Sequence, residues 1–447
     1  MANTLSAQTI IARSAALAWD DMPGLCDEIT WAEEGSKMNG VNLSDVSIDP
    51  ANNTGPTVNL RRPSRVDASL ATVGYDYTLP GVVSPEVGYQ TQVDATVPLT
   101  VNIRAEVNVQ LSIDELAMYL TKGQNRERHI NPAIASLKAI LNKAIVGAVA
   151  GQAGQSITMG TGESNYSQNW LKAATDAHNL MVERNATTYE DSKLTALIPG
   201  SVMSRFNANA GVVYNMTDSI RGAQADGNPI PRLGGFRIVR SPLTGVQSIP
   251  VAPAAVTTTG ASGLTTYGNS WTVVLAGLTA NAVYAKGTVV AFALASGVTV
   301  NWLNPLSKDD TGVQATFTLA AAATADGAGA ATFTLVEGLT YTGSFRNVTI
   351  SAALPNGSTM TFVNSGAAAQ SERQQFLFTP KAIVGVSPEI VVPKGIHNVT
   401  QWRQNGISIT IGSTTYPNTW QEVTKIVALA GVTTLLPEGV VRLLKAS

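Results

Sequence analysis

Apolar positions fall at helical spacing over a longer run between Ser112 and Gly151 than anywhere else in the chain. Ser112-Ile113-Asp114-Glu115 reads as a capping box, in which the Ser hydroxyl accepts from the Glu115 amide and the Glu carboxylate from the Ser112 amide. A short first helix through Leu120 follows from it. Gly123 to His129 is polar, and Asn131-Pro132 reads as a second start, with Asn as N-cap and Pro at N1, where an N–H is not needed. Ile134, Leu137, Leu141, Ile145 and Ala148 then form one stripe, Ile140, Ala144 and Val149 widen it, and Gly151 predicts the stop. At 1.5 Å per residue this second segment spans roughly 28 Å. A helix so long and one-sided is expected to lie across a sheet as a spine.

Around it the pattern is mixed. Thr4 to Trp19 places Leu5, Ile10, Ile11 and Leu17 on one helical face, ended by Asp20-Asp21-Met22-Pro23-Gly24. From Glu33 to Thr100 periodicity fades, apart from a strand-like Thr57 to Pro63 and the Val82 to Val97 stretch. An extended two-stranded arm that packs on neighbouring copies fits this region. Val101 to Leu111 alternates, with Val101, Ile103, Ala105, Val107 and Val109 on one face and Asn102, Arg104, Glu106, Asn108 and Gln110 on the other. A second helix is predicted over Ser167 to Arg184, with Trp170, Ala174, Ala177 and Met181 inward. A buried strand follows at Leu194 to Ile198, then a helix opened by Pro199-Gly200-Ser201, then a strand at Gly234-Gly235-Phe236-Arg237-Ile238-Val239.

Near Ile249 helical periodicity disappears. Short alternating strands take over at Ala315 to Leu319, Ala331 to Leu335 and Thr359 to Val363, with turn signals at Asp326-Gly327 and Asn356-Gly357. After Gln370 the mixed style returns, at Phe376 to Phe378, Ala382 to Val386, Ile407 to Ile411 and Val423 to Ala430. The reading is an α+β chain interrupted by an all-β barrel or sandwich, divided as 1–28, 29–100, 101–151, 152–248, 249–371 and 372–447.

Composition narrows the function. The chain of 447 residues is long enough for two or three folding units. Charged residues make up 13% against 44% hydrophobic, where about 25% charged is usual, which suggests a surface covered by other molecules. A net charge of -2 argues against a nucleic-acid binder that works by phosphate neutralisation. Arg61, Arg62 and Arg65 form the one basic cluster of the arm, readable as a phosphate site, as salt bridges to another subunit, or as solvated charge. Cys26 is the only cysteine, so no disulfide framework exists, and a buried thiol is expected. Met1 to Trp19 lacks the form of a secretory signal, and no run is read as a membrane span, so a cytoplasm is expected and no membrane partner.

Catalytic signatures are missing. His129, His178 and His397 lie in separate segments without metal-ligand spacing. Gly160-Thr161-Gly162 is a turn rather than a phosphate loop, and Asp310-Thr311-Gly312 has no second triplet to pair with as an aspartic dyad. No nucleophile elbow occurs. No catalytic, cofactor-binding or metal residue is assigned, and an enzyme is not expected.

The order of parts resembles the tailed-bacteriophage major capsid (coat) protein family, most closely the short-tailed branch whose coat carries a β-barrel insertion. Its carriers are Val101-Asn102-Ile103-Arg104-Ala105-Glu106-Val107 before the spine, Gly235 to Pro242 before the insertion, and Val423 to Leu436 with Pro437-Glu438-Gly439. The Asn131-Pro132 interruption departs from the family pattern and reads as a kink. The resemblance implies an N-arm, extended loop, spine helix, and peripheral and axial domains. It also implies a shell subunit that forms hexamers and pentamers of an icosahedral head around double-stranded DNA, through a scaffolded precursor that expands. The implied partners are the chain itself, a scaffolding protein, a portal protein, weakly held DNA and, as a further candidate, a decoration protein. The implied location is the virion, after assembly in the bacterial host cytoplasm. Intersubunit contact candidates are Leu5, Ile10, Arg61, Arg62, Arg65, Lys308, Asp309 and Asp310; hinge candidates are Gly123, Asn131 and Pro132. The rivals are an encapsulin-like shell subunit and a secreted β-rich binding module.

Overall fold

The computed structural model describes residues 19, 23–31, 37–38, 41–42, 57–62, 96–111, 130–160, 166–184, 186, 194–205, 232–251, 253, 255–343, 345–363, 365, 370–390, 396–416 and 421–444. Leu5, Ile10, Arg65, Gly123, the Ser112 capping box and His129 lie outside these residues.

The body is built on one long strand, Gln421–Thr434. Val427 faces Thr410 of Ile407–Tyr416 on one edge and Glu106 of Ile103–Leu111 on the other, both antiparallel. His397–Gln404 extends the sheet beyond Ile407–Tyr416. The end of the long strand pairs with Ile383–Val386, which holds Thr30–Trp31 in parallel. The alternation read from Val101 onward is present: Arg104, Glu106 and Asn108 are exposed while Ala105 is buried.

The spine helix, Asn131–Ala150, packs against Ile103–Leu111 and the long strand. Ile134, Leu137, Leu141 and Ile145 are fully buried in the core they share with Ile409, Ile426 and Ala428. Two expectations need correction. First, Asn131 is not an N-cap: Ile130 before it already has helical dihedrals (φ -76°, ψ -46°), and no side chain caps the end. Pro132 in the first turn has no N–H to satisfy, so this end is left with one fewer donor to cap. Second, Ile140 is 52% exposed and Ala144 is exposed too, whereas Lys138 and Asn142 are buried. At 3.6 residues per turn Lys138 points about 40° round the helix from Ile134, between the directions of Ile145 and Val149. Gly151 ends the helix where the sequence reading put the stop, at φ -82° rather than in the left-handed region. Its missing side chain makes room instead: a Cβ there would lie 2.9 Å from Cγ of Lys286. Contrary to the reading that no run could span a membrane, this helix is long and apolar enough to cross one. Its stripe is spent on the body core.

A second sheet runs Gln155–Thr158, Val440–Leu444, Gln375–Phe378, Thr195–Ile198, Phe236–Arg240, Arg232–Leu233. The second helix, Tyr166–Glu183, seats Trp170, Ala174, Ala177 and Met181 against Phe236, Ile238, Leu377 and Val441. Gly234 and Gly235 belong to a turn rather than to a strand. With φ of 58° and 89° they link Leu233 to its cross-strand partner Phe236, the two-residue hairpin geometry that glycine favours.

Two further two-stranded antiparallel ladders accompany this body. Thr57–Arg61 pairs with Thr96–Thr100 at the base of the arm. Leu60, Val97 and Leu99 are buried in the chain's own core, so the base of the arm packs on its own body. Val246–Ile249 pairs with Gln370–Arg373 where the chain enters and leaves the β unit. There six strands run in the order Thr316–Thr318, Val289–Ala293, Thr359–Phe362, Val256–Thr258, Ser270–Ala276, Ala331–Val336. A bridge between Leu319 and Leu335 joins the outer two, so the sheet closes as a barrel around Trp271, Phe292, Phe317 and Phe333.

Candidate functional site

Two buried polar junctions join the N-terminal segment and the barrel to the body. The first fixes the segment that follows the N-terminal arm. Lys138 Nζ lies 2.8 Å from Asp27 Oδ2, donates to the carbonyl of Trp19, and sits 5.3 Å from the Trp19 ring centroid. Asp27 also accepts from the Gly24 amide at 2.9 Å and from Asn405 Nδ2 at 3.2 Å. One turn along the spine helix, Asn142 accepts from the Cys26 amide at 3.1 Å and donates to the Leu243 carbonyl at 2.7 Å. Glu28 pairs with Arg237. Burial raises the Glu28 carboxyl above its ordinary range, with Arg237 opposing. Burial also pushes the Cys26 thiol well up, with Asp27 adding to it, so this cysteine carries no reactive thiolate.

The second junction seats the barrel. Arg62 Nη2 reaches both oxygens of Glu438, at 2.6 and 2.5 Å, and Nη1 donates to the Tyr267 hydroxyl. Beside it Arg184 pairs with Glu337 and stacks on Trp302, 3.9 Å from the ring centroid. The side chains of Arg62 and Glu438 are 2% and 4% exposed, those of Arg184 and Glu337 1% and 2%. Burial alone would lower the Arg62 pKa; Glu438, with Tyr267 and Glu337, overrides it and raises it. Around the charges, Thr318 Oγ1 donates to the Ala153 carbonyl at 2.6 Å and the Ser156 amide to Thr316 Oγ1 at 3.0 Å. Arg442 donates to the Gly287 carbonyl, and burial holds its pKa down to about 10.

Arg62 was expected at an intersubunit contact, as a phosphate ligand or in solvent; the structure commits it inside its own chain. The cause is Glu438, a carboxylate 376 positions away that sequence spacing does not connect to it. Arg61 ends the strand beside it. Lys308 and Asp309 lie in the loop between Asn301–Leu303 and Asp310–Gln314, and Asp310 starts the second strand rather than completing a charged turn. Lys308 has φ 61°, Asp309 is exposed, and Asp310 accepts from Asn301 Nδ2 at 3.1 Å and from the Gly312 amide at 2.8 Å. Among the described residues, Arg62 of the arm cluster is bonded to Glu438 and Tyr267. His178 packs edge-on against Phe236, with ring centroids 6.1 Å apart. Among the described residues no group of three or more His, Cys, Asp or Glu could hold a metal ion.

Sequence reading missed Lys138, Asn142, Arg184, Glu337 and Glu438. Only the first two left a signal, as polar residues at stripe positions of an otherwise apolar helix.

No protein-family model matches the chain, and no curated protein does. Solved structures do. The chain is similar to phage capsid structures. The capsid of Cyanophage P-SCSP1u matches at 9% identity over 95% of this chain and 89% of that one, with a TM-score of 0.43. The mature capsid of bacteriophage PhiM1 matches at 10% identity over 88% and 83%, with a TM-score of 0.40. A virus-like particle from Pyrococcus furiosus matches at 8% identity over 96% of each chain, with a TM-score of 0.37. Identities this low carry no residue across, so the functional reading rests on the geometry of this chain.

Proposed function

We propose that this chain is a structural subunit of a phage-type icosahedral shell, joining copies of itself into hexamers and pentamers. The observation that carries the reading is the pair of ladders. The α+β body carries one ladder, Thr57–Arg61 with Thr96–Thr100, whose ends bracket the residues read as the arm, and a second, Val246–Ile249 with Gln370–Arg373, that carries the barrel. Excursions that leave and return at one place add reach without adding to the core beneath them, which suits a subunit that must touch several neighbours at once.

The chemistry supports the same reading. Contacts of about 4–8 kcal/mol each correspond to millimolar to micromolar affinity, so misplaced subunits dissociate while a closed shell gains from multiple attachment. With 13% charged residues there is little to keep copies apart. A net charge of -2 leaves packaged double-stranded DNA loosely held, where a basic lining would grip it. In this proposal a scaffolding protein guides a precursor that expands, a portal admits the DNA, and the stretch Lys308-Asp309-Asp310 meets a neighbouring capsomer. A decoration protein is a further candidate for the outer surface.

Electron microscopy of the chain expressed alone and with a candidate scaffolding protein tests the proposal. Closed shells, polyheads or partial shells are expected. Dispersed monomers under both conditions would refute it and turn attention to the binding-module rival.

A further inference from the structure

The four charges at the seat of the barrel come from four distant parts of the chain. Arg62 follows the first arm strand, Arg184 ends the second helix, Glu337 belongs to the barrel, and Glu438 lies in the short turn Pro437–Gly439. Their roles are unequal. Arg184 and Glu337 join the second helix to the barrel. Arg62 alone joins three units: it extends from the arm, grips Glu438 of the body, and donates to Tyr267 of the barrel. Withdrawing Arg62 breaks the pair that holds Glu438, beside the Arg184–Glu337 pair, at side-chain exposures of 4% for Glu438 and 2% for Glu337.

We infer that the base of the arm is a removable counter-ion for the seat of the barrel, so that lifting the arm and unseating the barrel are one transition. Removing one partner of a buried pair strands the other charge, and the seat relieves that strain only by opening to water. Two features make it a two-state element rather than a gradual one. Glu337 holds a left-handed backbone, φ 58°, which a non-glycine residue keeps only while its surroundings enforce it. Gly154 lets the body close over the seat, because a Cβ there would lie 2.6 Å from Cβ of Pro437. At its base the arm contributes Leu60, Val97 and Leu99 to the body core. The inference concerns a single chain and stands whether or not the chain forms shells.

Hydrogen exchange on the full chain tests it, read at Gln155–Thr158, whose Ser156 amide bonds Thr316 across the seat, and at Ser270–Ala276 inside the barrel. In Arg62→Met, exchange at Gln155–Thr158 and Thr316–Thr318 rises roughly 10²–10³-fold, while Ser270–Ala276 keeps its wild-type rate. Arg62→Met with Glu438→Met returns the seat to within roughly tenfold of wild type. Tyr267→Phe strands no charge, and so serves if Arg62→Met does not fold. It speeds exchange in the arm strand Thr57–Arg61 roughly tenfold, although the change lies in the barrel. Faster exchange confined to the arm, a uniform rise that includes Ser270–Ala276, or a wild-type arm in Tyr267→Phe would each overturn the coupling.

Discussion

Lys138→Met tests how the N-terminal segment is held. Methionine keeps the unbranched apolar stem and the helix propensity of lysine but removes the ammonium, and with it the pair to Asp27 and the bond to the Trp19 carbonyl. Breaking a buried pair from one side costs about 3–5 kcal/mol. Asp27 is not left bare, since the Gly24 amide at 2.9 Å and Asn405 Nδ2 at 3.2 Å remain, and its side chain is 15% exposed. The expected loss is therefore about 2–3 kcal/mol. For a folding unit of this order that lowers Tm by about 4–12 °C. Thermal unfolding followed by circular dichroism reads the loss, and hydrogen exchange across residues 23–31 locates it. Lys138→Met combined with Asp27→Asn completes a cycle with a coupling of about 2 kcal/mol. A single-mutant loss below about 0.5 kcal/mol, or additive single effects, would refute a pinned segment.

Other outcomes follow from the same geometry. Gly406→Ala forces a side chain at φ 81° to within 2.9 Å of Trp31 Cδ1, and the denaturation midpoint falls by the equivalent of about 1–3 kcal/mol; an unchanged midpoint contradicts this. Burial raises the Glu28 pKa against Arg237, so its contribution to stability is complete below the unfolded value, about 4.3, and is lost as pH rises through the folded value. Glu28→Gln should flatten that decline between about pH 4.3 and neutrality, and a profile that still matches wild type there counts against it. Deleting residues 2–18 should leave subunit Tm unchanged and block shell closure, whereas extending the deletion through Trp19, fully buried on Lys138, should also lower Tm; shells of wild-type size from the shorter deletion would sink the role given to the arm. Asp309→Ala removes an exposed carboxylate and should lower assembly yield with Tm unchanged. Unaltered yield takes Asp309 out of the capsomer contact.

Much of the architecture could be read from periodicity. The second helix, the alternating strand before the spine and the strands of the β unit lie where apolar spacing placed them, because each spacing is decided within a few neighbouring residues. The errors cluster where a partner from elsewhere intervenes. Ile140 and Ala144 were read as core, but the inward direction of the spine helix is set by the sheet it meets, and that direction favours Lys138 and Asn142. Gly151 stops the helix as read, but the space it leaves is taken by Lys286 from the barrel, which no local spacing shows.

By itself the sequence determined the kinds of element, their order, and the poverty of charge that leaves few groups for chemistry. These are local or summed properties, and they do not depend on how distant segments meet. Only the tertiary structure decided the fate of the charges that are present. Arg62 was one basic residue among three until Glu438 and Tyr267 closed around it, and Glu337 was an isolated acid in a β unit until Arg184 reached it. A buried charge is tolerated only beside its counter-ion, and which counter-ion that is depends on the fold that brings the two together.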